Sequence, residues 1–374
     1  MSKLDLIATT TFGLEAVCRR EIEKLGYDIT GSRDGRLTFA GDERAIVRSN
    51  LWLRTADRVY VKLAGFRALS FEELFQKTKT IDWEKWLPED ANFIITGTSV
   101  KSVLHSVPAC QSIIEKAIVS KLKDAYGIEW FSKKGARYTV RFMLQKDECV
   151  IMLDTSGLGL HKRGYRVMDV AAPIKETLAS AMVQLSFFKP GRLMVDPFCG
   201  SGTIAIEAAM LAKNIAPGLS RDFDSRHWKA IDEGLWKSEK DAAYKAIDNN
   251  SRFVIKASDI DRRAIKAAKE NALEAGVDDV IEFSVMDARN LEADADRGII
   301  VTNPPYGMRI GEQKENIQLY LSLKEYIRKN PSWSLFLITA DKDFEKYFGR
   351  NADRRRKLYN GRIETCYYQY HGEK

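Results

Sequence analysis

Apolar residues follow two regimes along the chain. Up to about position 155 they form short, mixed alternating and helical runs, and from about position 173 β-like and helical runs alternate regularly. The opening predicts a strand over 4–9, then a helix over 14–25 carrying Leu14, Val17, Ile22 and Leu25 and stopped by Gly26. Short strands follow at 37–39 and 58–66, the second placing Val59, Val61 and Leu63 on one face. Residues 1–65 thus form a small α+β unit. A second unit, 66–155, is predicted from a helical stretch closing over 81–86 before Pro88, a β-rich run at 92–100 and a helix over 112–125. Strands at 138–144 and 148–154, parted by the turn-forming Gln145-Lys146-Asp147, complete it. The Gly-rich, basic segment 156–166, SGLGLHKRGYR, is the expected junction.

The third unit, 156–374, has the strand–helix alternation of an α/β, Rossmann-like sheet. A helix over 174–185 leads into strand 193–196, helix 203–213, strand 253–259, helix 262–275 ended by Gly276, and strand 281–285. Strand 298–302, a helix near 318–329 and strand 334–340 follow. The chain closes with β-rich runs on either side of Asn360-Gly361, the strongest short signal for an antiparallel hairpin, expected as a type I′ turn.

Composition narrows the class. The 374 residues are 45 % hydrophobic and 30 % charged, enough for two or three globular domains, and no apolar run is long enough to span a membrane. The N-terminus lacks the apolar core of a secretory signal, and five scattered cysteines with no CxxC spacing argue against a disulfide framework or zinc site. A cytoplasmic protein is expected, without a metal and as a monomer. The net charge of +7 is compatible with a polyanionic partner without demanding one.

Four constellations carry chemistry. Between a strand and a helix stands Asp196-Pro-Phe198-Cys199-Gly200-Ser201-Gly202-Thr203, whose glycines allow a tight turn and close ligand approach. The run also fits the dinucleotide fingerprint, but a carboxylate beside it suits a cationic ligand group and is awkward next to a pyrophosphate. Ser258-Asp259-Ile260-Asp261 ends the next strand, where Asp259 can accept both hydroxyl protons of a ribose and Asp261 is expected to cap the following helix. Met286-Asp287-Ala288 offers a carboxylate to an adenine amino group. Asn303-Pro304-Pro305-Tyr306-Gly307 follows strand 298–302 directly. There the Asn303 amide oxygen and the rigidly presented Pro304 carbonyl can both accept from a planar exocyclic amino group, making its nitrogen nucleophilic toward an electrophilic methyl. Tyr306 adds an aromatic face for a flipped base.

Together these features resemble the class I S-adenosylmethionine-dependent methyltransferases that act on amino groups. More closely, the chain is similar over essentially its whole length to THUMP-domain RNA methyltransferases, in particular bacterial 23S rRNA guanine-N2 methyltransferases. The marks are residues 8–26, 99–122, Asp154-Thr-Ser-Gly157, Leu160-His-Lys-Arg-Gly-Tyr-Arg166, Asn214-Ile-Ala-Pro-Gly218 and Asn303-Pro-Pro-Tyr306. The resemblance implies a ferredoxin-like domain over 1–65, a THUMP RNA-binding domain over 66–155 and a class I methyltransferase sheet of seven strands over 156–374. It implies S-adenosylmethionine as cofactor, S-adenosylhomocysteine as product and ribosomal RNA as partner. Asp196, Gly200 and Gly202 would hold the methionine moiety, Asp259 the ribose and Asp287 the adenine. Phe198, Ser201, Thr203, Ile260, Ala288 and Asn303 complete the cofactor set. Asn303, Pro304, Pro305 and Tyr306 form the catalytic set. Some family members fuse a second methyltransferase domain; this chain ends before one, so a second modification is not expected.

Alternatives are N6 methylation of adenine in RNA or DNA, methylation of a glutamine amide, a non-catalytic RNA-binding protein and an NAD oxidoreductase. Cys199 reads as a packing residue rather than a nucleophile. Lys133, Lys134, Lys162, Arg163, Arg166 and the run 350–357 with Arg354, Arg355 and Arg356 are candidate phosphate contacts. Trp228 and Trp236, in the insertion before strand 253–259, are expected to pack on the core rather than stack on RNA.

Overall fold

Strand β1 (Leu4–Thr10) buries Leu6 and Ala8 on one face and is paired along both edges. The computed structural model describes residues 3–168, 173–250, 253–292, 295–305 and 310–373. Helix α1 (Glu15–Lys24) buries Val17, Cys18 and Ile22, as its apolar spacing requires. The sequence pattern does not announce β2 (Ile29–Arg33) or α2 (Glu43–Trp52), while β3 (Arg36–Gly41) extends the short strand expected at 37–39. Helix α2 escapes because Ser49 and Asn50 are as buried as Ile46, Val47 and Leu51, which breaks its apolar stripe. Its start is nonetheless well made, since the Asp42 carboxylate accepts from the Ala45 amide at 2.9 Å.

The twelve-residue β4 (Ala56–Arg67) pairs with β1 along its first half and with β7 (Glu148–Asp154) along its second. It is followed by α3 (Phe71–Lys79), β5 (Asn92–Val100), α4 (Val107–Tyr126) and β6 (Arg137–Gln145). Helix α4 begins five residues before the expected start: Ser106 caps it, Pro108 occupies its first turn, and Gly127 ends it at φ +67°. The two N-terminal α+β units therefore share one seven-stranded sheet, ordered β2-β3-β1-β4-β7-β6-β5 and antiparallel except where β5 lies beside β6.

The C-terminal half begins with α5 (Glu176–Leu185), β8 (Leu193–Asp196) and α6 (Thr203–Ala212). Helix α7 (Glu233–Lys245) lies in the insertion, before β9 (Ile255–Asp259), α8 (Arg262–Glu274), β10 (Ile281–Val285) and β11 (Gly298–Thr302). Helix α9 (Ile310–Lys329), β12 (Ser334–Thr339), α10 (Phe344–Phe348), β13 (Arg354–Asn360) and β14 (Ile363–Tyr370) close the chain. The order is β10-β9-β8-β11-β12-β14-β13, parallel through β12, with β14 and β13 antiparallel. The hairpin forms where expected, but its turn differs from type I′. Asn360 pairs with Ile363, leaving Gly361-Arg362 as the loop, and Gly361 alone has positive φ, at +64°. Glycine at the first loop position is what a type II′ turn favours.

The insertion joins the two halves. Trp228 lies flat on Tyr138 of β6, with centroids 4.9 Å apart, and donates from Nε1 to the Arg137 carbonyl at 2.9 Å. Trp236 stacks on Phe223, and Phe223, Trp228 and Trp236 all belong to the core beneath the N-terminal sheet. Both tryptophans pack, as expected.

Candidate active site

The strand order reverses between β8 and β11, and in open parallel sheets the crevice at such a point, beyond the carboxyl ends of the strands, is where ligands bind. Asp196 ends β8, Asp259 ends β9, and Asn303 follows β11. Asp287 follows β10, whose end is tied to β9 by the Met286 amide donating to the Asp259 carbonyl at 3.0 Å, so the topology gathers all four sequence constellations at one edge.

Asp196 is fully buried. Its Oδ1 accepts from Thr302 Oγ1 at 2.6 Å and from the Phe198 amide at 3.2 Å, while Oδ2 is buried without a partner. Burial pushes its carboxyl up to about 7, with the nearby Asp259 adding to the rise and the two hydrogen bonds opposing it. The loop then turns through Gly200 (φ +52°) and Gly202 (φ +83°) into the N-terminus of α6. A side chain at Gly202 would be strained by that φ and would meet the Cβ of Ala268 at 3.0 Å.

Asp259 holds the loop from the next strand. Its Oδ2 accepts from the Gly200 amide at 3.0 Å and its Oδ1 from the Asp261 amide at 2.9 Å. Each oxygen retains a further lone pair. Ile260 is 68 % exposed beside it, and Asp261 caps α8 by accepting from Arg263, as expected. Asp287 accepts from the Arg289 amide and is ion-paired with its guanidinium, which holds the carboxyl below the usual carboxylate range. The adjacent Ala288 is buried.

Asn303 is half-buried, with its Oδ1 sealed from solvent and unpartnered. Pro304 is buried and Pro305 exposed; Tyr306 and Gly307 lie outside the described residues. Two acceptors, Asp196 Oδ2 and Asn303 Oδ1, are thus left open at the ends of adjacent strands. Buried polar atoms normally find partners, so both fit a ligand that brings donors: a cationic amino acid moiety at one and an amino group at the other. Burial raises the Cys199 thiol well above its ordinary value, which suits packing rather than nucleophilic attack. Among the described residues no three of His, Cys, Asp and Glu stand together as a metal site.

Three residues that brace this site are not assigned to it by the sequence pattern. Thr302 links the two constellations through its bond to Asp196. Arg166 donates to Ser201 Oγ and Thr203 Oγ1, both at 2.9 Å, and pairs with Glu176 at 2.8 Å. Asn271 of α8 donates to the Ser201 carbonyl and accepts from the amides of Val167 and Met168. Their partners are up to 106 residues distant in sequence, so no local pattern pairs them.

The basic residues divide. Arg163, read from the sequence as a phosphate contact, is 3 % exposed and paired with the buried Glu207 at 3.2 Å, because the junction folds between the two halves. Arg166 likewise turns inward to the glycine loop. Arg355 pairs with Glu345, Arg356 donates to the Gly13 carbonyl, Arg350 pairs with Asp353, and Lys133 with Glu115. Lys134, Lys162 and Arg354 are exposed.

Comparison with known proteins follows the same division. Residues 163–369 match the family described as RMKL-like, methyltransferase domain; residues 5–60 match the RlmL ferredoxin-like domain and 68–154 the THUMP domain. YpsC of Bacillus subtilis (strain 168), named as an RNA methyltransferase, is 49 % identical over 99 % of this chain and 96 % of its own length. The ribosomal RNA large subunit methyltransferase K/L of Psychromonas ingrahamii is 33 % identical over 98 % of this chain, which spans half of that longer protein. Among solved structures, SMU.472, described as a methyltransferase complexed with S-adenosylhomocysteine, superposes with a TM-score of 0.95 at 40 % identity, covering 100 % of this chain and 99 % of its own. A protein from Listeria monocytogenes, named for N6-adenine-specific DNA methylation, superposes at 0.96 with 42 % identity, covering 100 % and 97 %.

Proposed function

The chain belongs to the RMKL-like methyltransferase family, and from that premise we propose that it transfers the methyl group of S-adenosylmethionine to the N2 amino group of a guanine in 23S ribosomal RNA. The observation that carries the amino-group reading is the open acceptor on Asn303, fixed at the end of β11 and followed by two prolines. The THUMP match supports RNA, and the large-subunit methyltransferase among the relatives supports 23S rRNA and a cytoplasmic setting. The described helices include none long and apolar enough to cross a membrane.

The cofactor supplies an electrophilic methyl on a sulfonium, so the protein's part is positioning and electrostatics. In this reading Asp196 Oδ2 accepts from the cationic methionine moiety, and the glycine loop, clamped by Arg166 and Asp259, lets backbone approach it. Phe198, Ser201 and Thr203 line that loop, while Asp259, Ile260, Asp287 and Ala288 receive the nucleoside end. Asn303 Oδ1 and the Pro304 carbonyl accept from the target amino group and orient its lone pair toward the methyl. Pro305 stiffens that loop, and Tyr306 stacks on the base.

N6 methylation of adenine is the second reading, favoured by the name of the Listeria structure. The deciding experiment transfers labelled methyl to naked rRNA and analyses the nucleosides. N2-methylguanosine is expected, and labelled N6-methyladenosine would replace the guanine assignment with the adenine one.

A further inference from the structure

The N-terminal sheet has one covered face and one bare face. Helices α1 to α4 all contribute to the core that holds Phe39, Val59 and Ile151. On the opposite face, strand register sets Thr38, Ile7, Tyr60, Asp154, Thr139 and Ile94 side by side across six strands. From the insertion Asp224 reaches Arg137 at the start of β6 at 4.0 Å, and on this face Ile7, Tyr60 and Met152 are buried in a small cluster with no α-helix residue in it. The cause is coiling of the sheet. Arg36 on β3 reaches the sulfur of Met143 on β6, four strands away, at 3.7 Å. The bare face is therefore concave, with long cationic side chains draped over an apolar floor.

Charge on this face is unbalanced. Asp154 pairs with Arg58 and Asp5 with Lys62. Arg36 and Arg141 have no carboxylate within 4.0 Å among the described residues. Arg141 sits two residues from Met143 on the same face of β6. Arg36 is only 8 % exposed, and the one hydrogen bond it makes among the described residues goes to a thioether, a weak acceptor. Burial, reinforced by the charge of Arg33, lowers its pKa. No Arg36 nitrogen is both sealed from solvent and unpartnered, so the donors it leaves unused stay open to a ligand, and its planar fork matches phosphate oxygens.

We propose that Arg36, with Arg141 beside it, binds a backbone phosphate of the RNA substrate on the concave face of the N-terminal sheet. The site rests on the reading that this chain acts on RNA, and it places an RNA contact on strands from both N-terminal units at once.

The test uses the full chain and an unmethylated 23S rRNA transcript, with binding followed by fluorescence anisotropy over a range of NaCl concentrations. Arg36→Gln and Arg141→Gln should each weaken binding about tenfold at low salt, and each should reduce the slope of log K against log salt by roughly 0.7 if the contacted strand is single. Affinity for S-adenosylmethionine should be unchanged, and Arg36→Lys should retain most of the slope. A merely structural Arg36 would show as a lower melting temperature with the salt slope intact, and that outcome overturns the site. The more exposed Arg141 keeps the test decisive if Arg36→Gln folds poorly: an unchanged slope in Arg141→Gln also overturns it. A thermal shift by inorganic phosphate that Arg36→Gln abolishes, with RNA binding unaltered, would assign the site to a free anion and overturn the proposal. Wild-type protein that binds no rRNA would overturn the RNA reading as well, whereas wild type that binds and methylates RNA while both variants match it overturns this site alone.

Discussion

Asp196 and Arg163 are both charged residues sealed from water, at 0 % and 3 % exposure, and they are built in opposite ways. Every nitrogen of Arg163 has a partner: Nε meets Glu207, Nη1 the Leu160 carbonyl, and Nη2 the Arg54 carbonyl across the boundary between the two halves. Glu21, at the same boundary, accepts from Gln184 and from the amides of Arg54 and Thr55. Asp196 has one oxygen engaged and the other empty. Burial of charge is thus no guide to function by itself. What separates the two is whether the hydrogen-bonding capacity of the charge is closed by the protein or left open.

The largest effect that sharpens this contrast is expected at the other open acceptor. Asn303→Ala should slow methyl transfer by about 10³-fold or more while cofactor affinity, measured by calorimetry, stays near wild type. Retained turnover would break the assignment of Asn303 to the target amino group. Arg163→Met should leave Glu207 as an uncompensated buried charge and reduce unfolding free energy by about 3–5 kcal/mol. Denaturant titration checks this, and a near-neutral result would show that the pair is dispensable to the junction.

A smaller effect is expected at Asp196, and it runs the other way in stability. Asp196→Asn should weaken S-adenosylmethionine binding roughly 10- to 100-fold at pH 8, the range of a lost charged hydrogen bond. In the folded chain the Asp196 carboxyl is raised from 3.8 to about 7, so its ionisation destabilises the fold progressively as pH rises between those values. The asparagine variant should therefore gain stability relative to wild type at pH 8 compared with pH 4. A cationic ligand selects the ionised form, so wild-type affinity should fall about tenfold per unit as pH drops below about 7, and the variant should lose that dependence. A flat wild-type profile would sink the role given to Asp196. The smallest effect belongs to the exposed Arg289: Arg289→Ala should change cofactor affinity by less than about threefold, since exposed ion pairs contribute little. A large loss would mean that Arg289, rather than Asp287, meets the ligand.

Much of this was legible along the chain. Asp196, the glycine loop, Asp259 and Asn303 could be placed at strand ends because alternation of β and helical runs locates strand ends, and a parallel sheet gathers those ends at one edge. The packing role of Trp228 and Trp236 was legible too. Less was legible where residues act against type: α2 hides its helical period by burying Ser49 and Asn50, and the Asn50 amide donates to Thr155 and accepts from Ser156, both more than a hundred positions away. The basic segment 156–166 misleads for the same reason. Composition marks Arg163 and Arg166 as surface cations, and only the carboxylates of Glu207 and Glu176 brought to them by α6 and α5 turn them inward.

By itself, then, the sequence determined the local chemistry: which segments extend or coil, where the backbone can turn sharply, and which polar side chains stand at strand ends as candidates for a ligand. Tertiary structure alone decided that β4 merges two units into one sheet, that this sheet coils until Arg36 meets Met143, and that Thr302 ties Asp196 to the Asn303 loop. The physical reason is that periodicity and motif report a residue's neighbours within a few positions. Whether a charge or amide is satisfied depends on partners that only long-range packing brings within hydrogen-bonding distance.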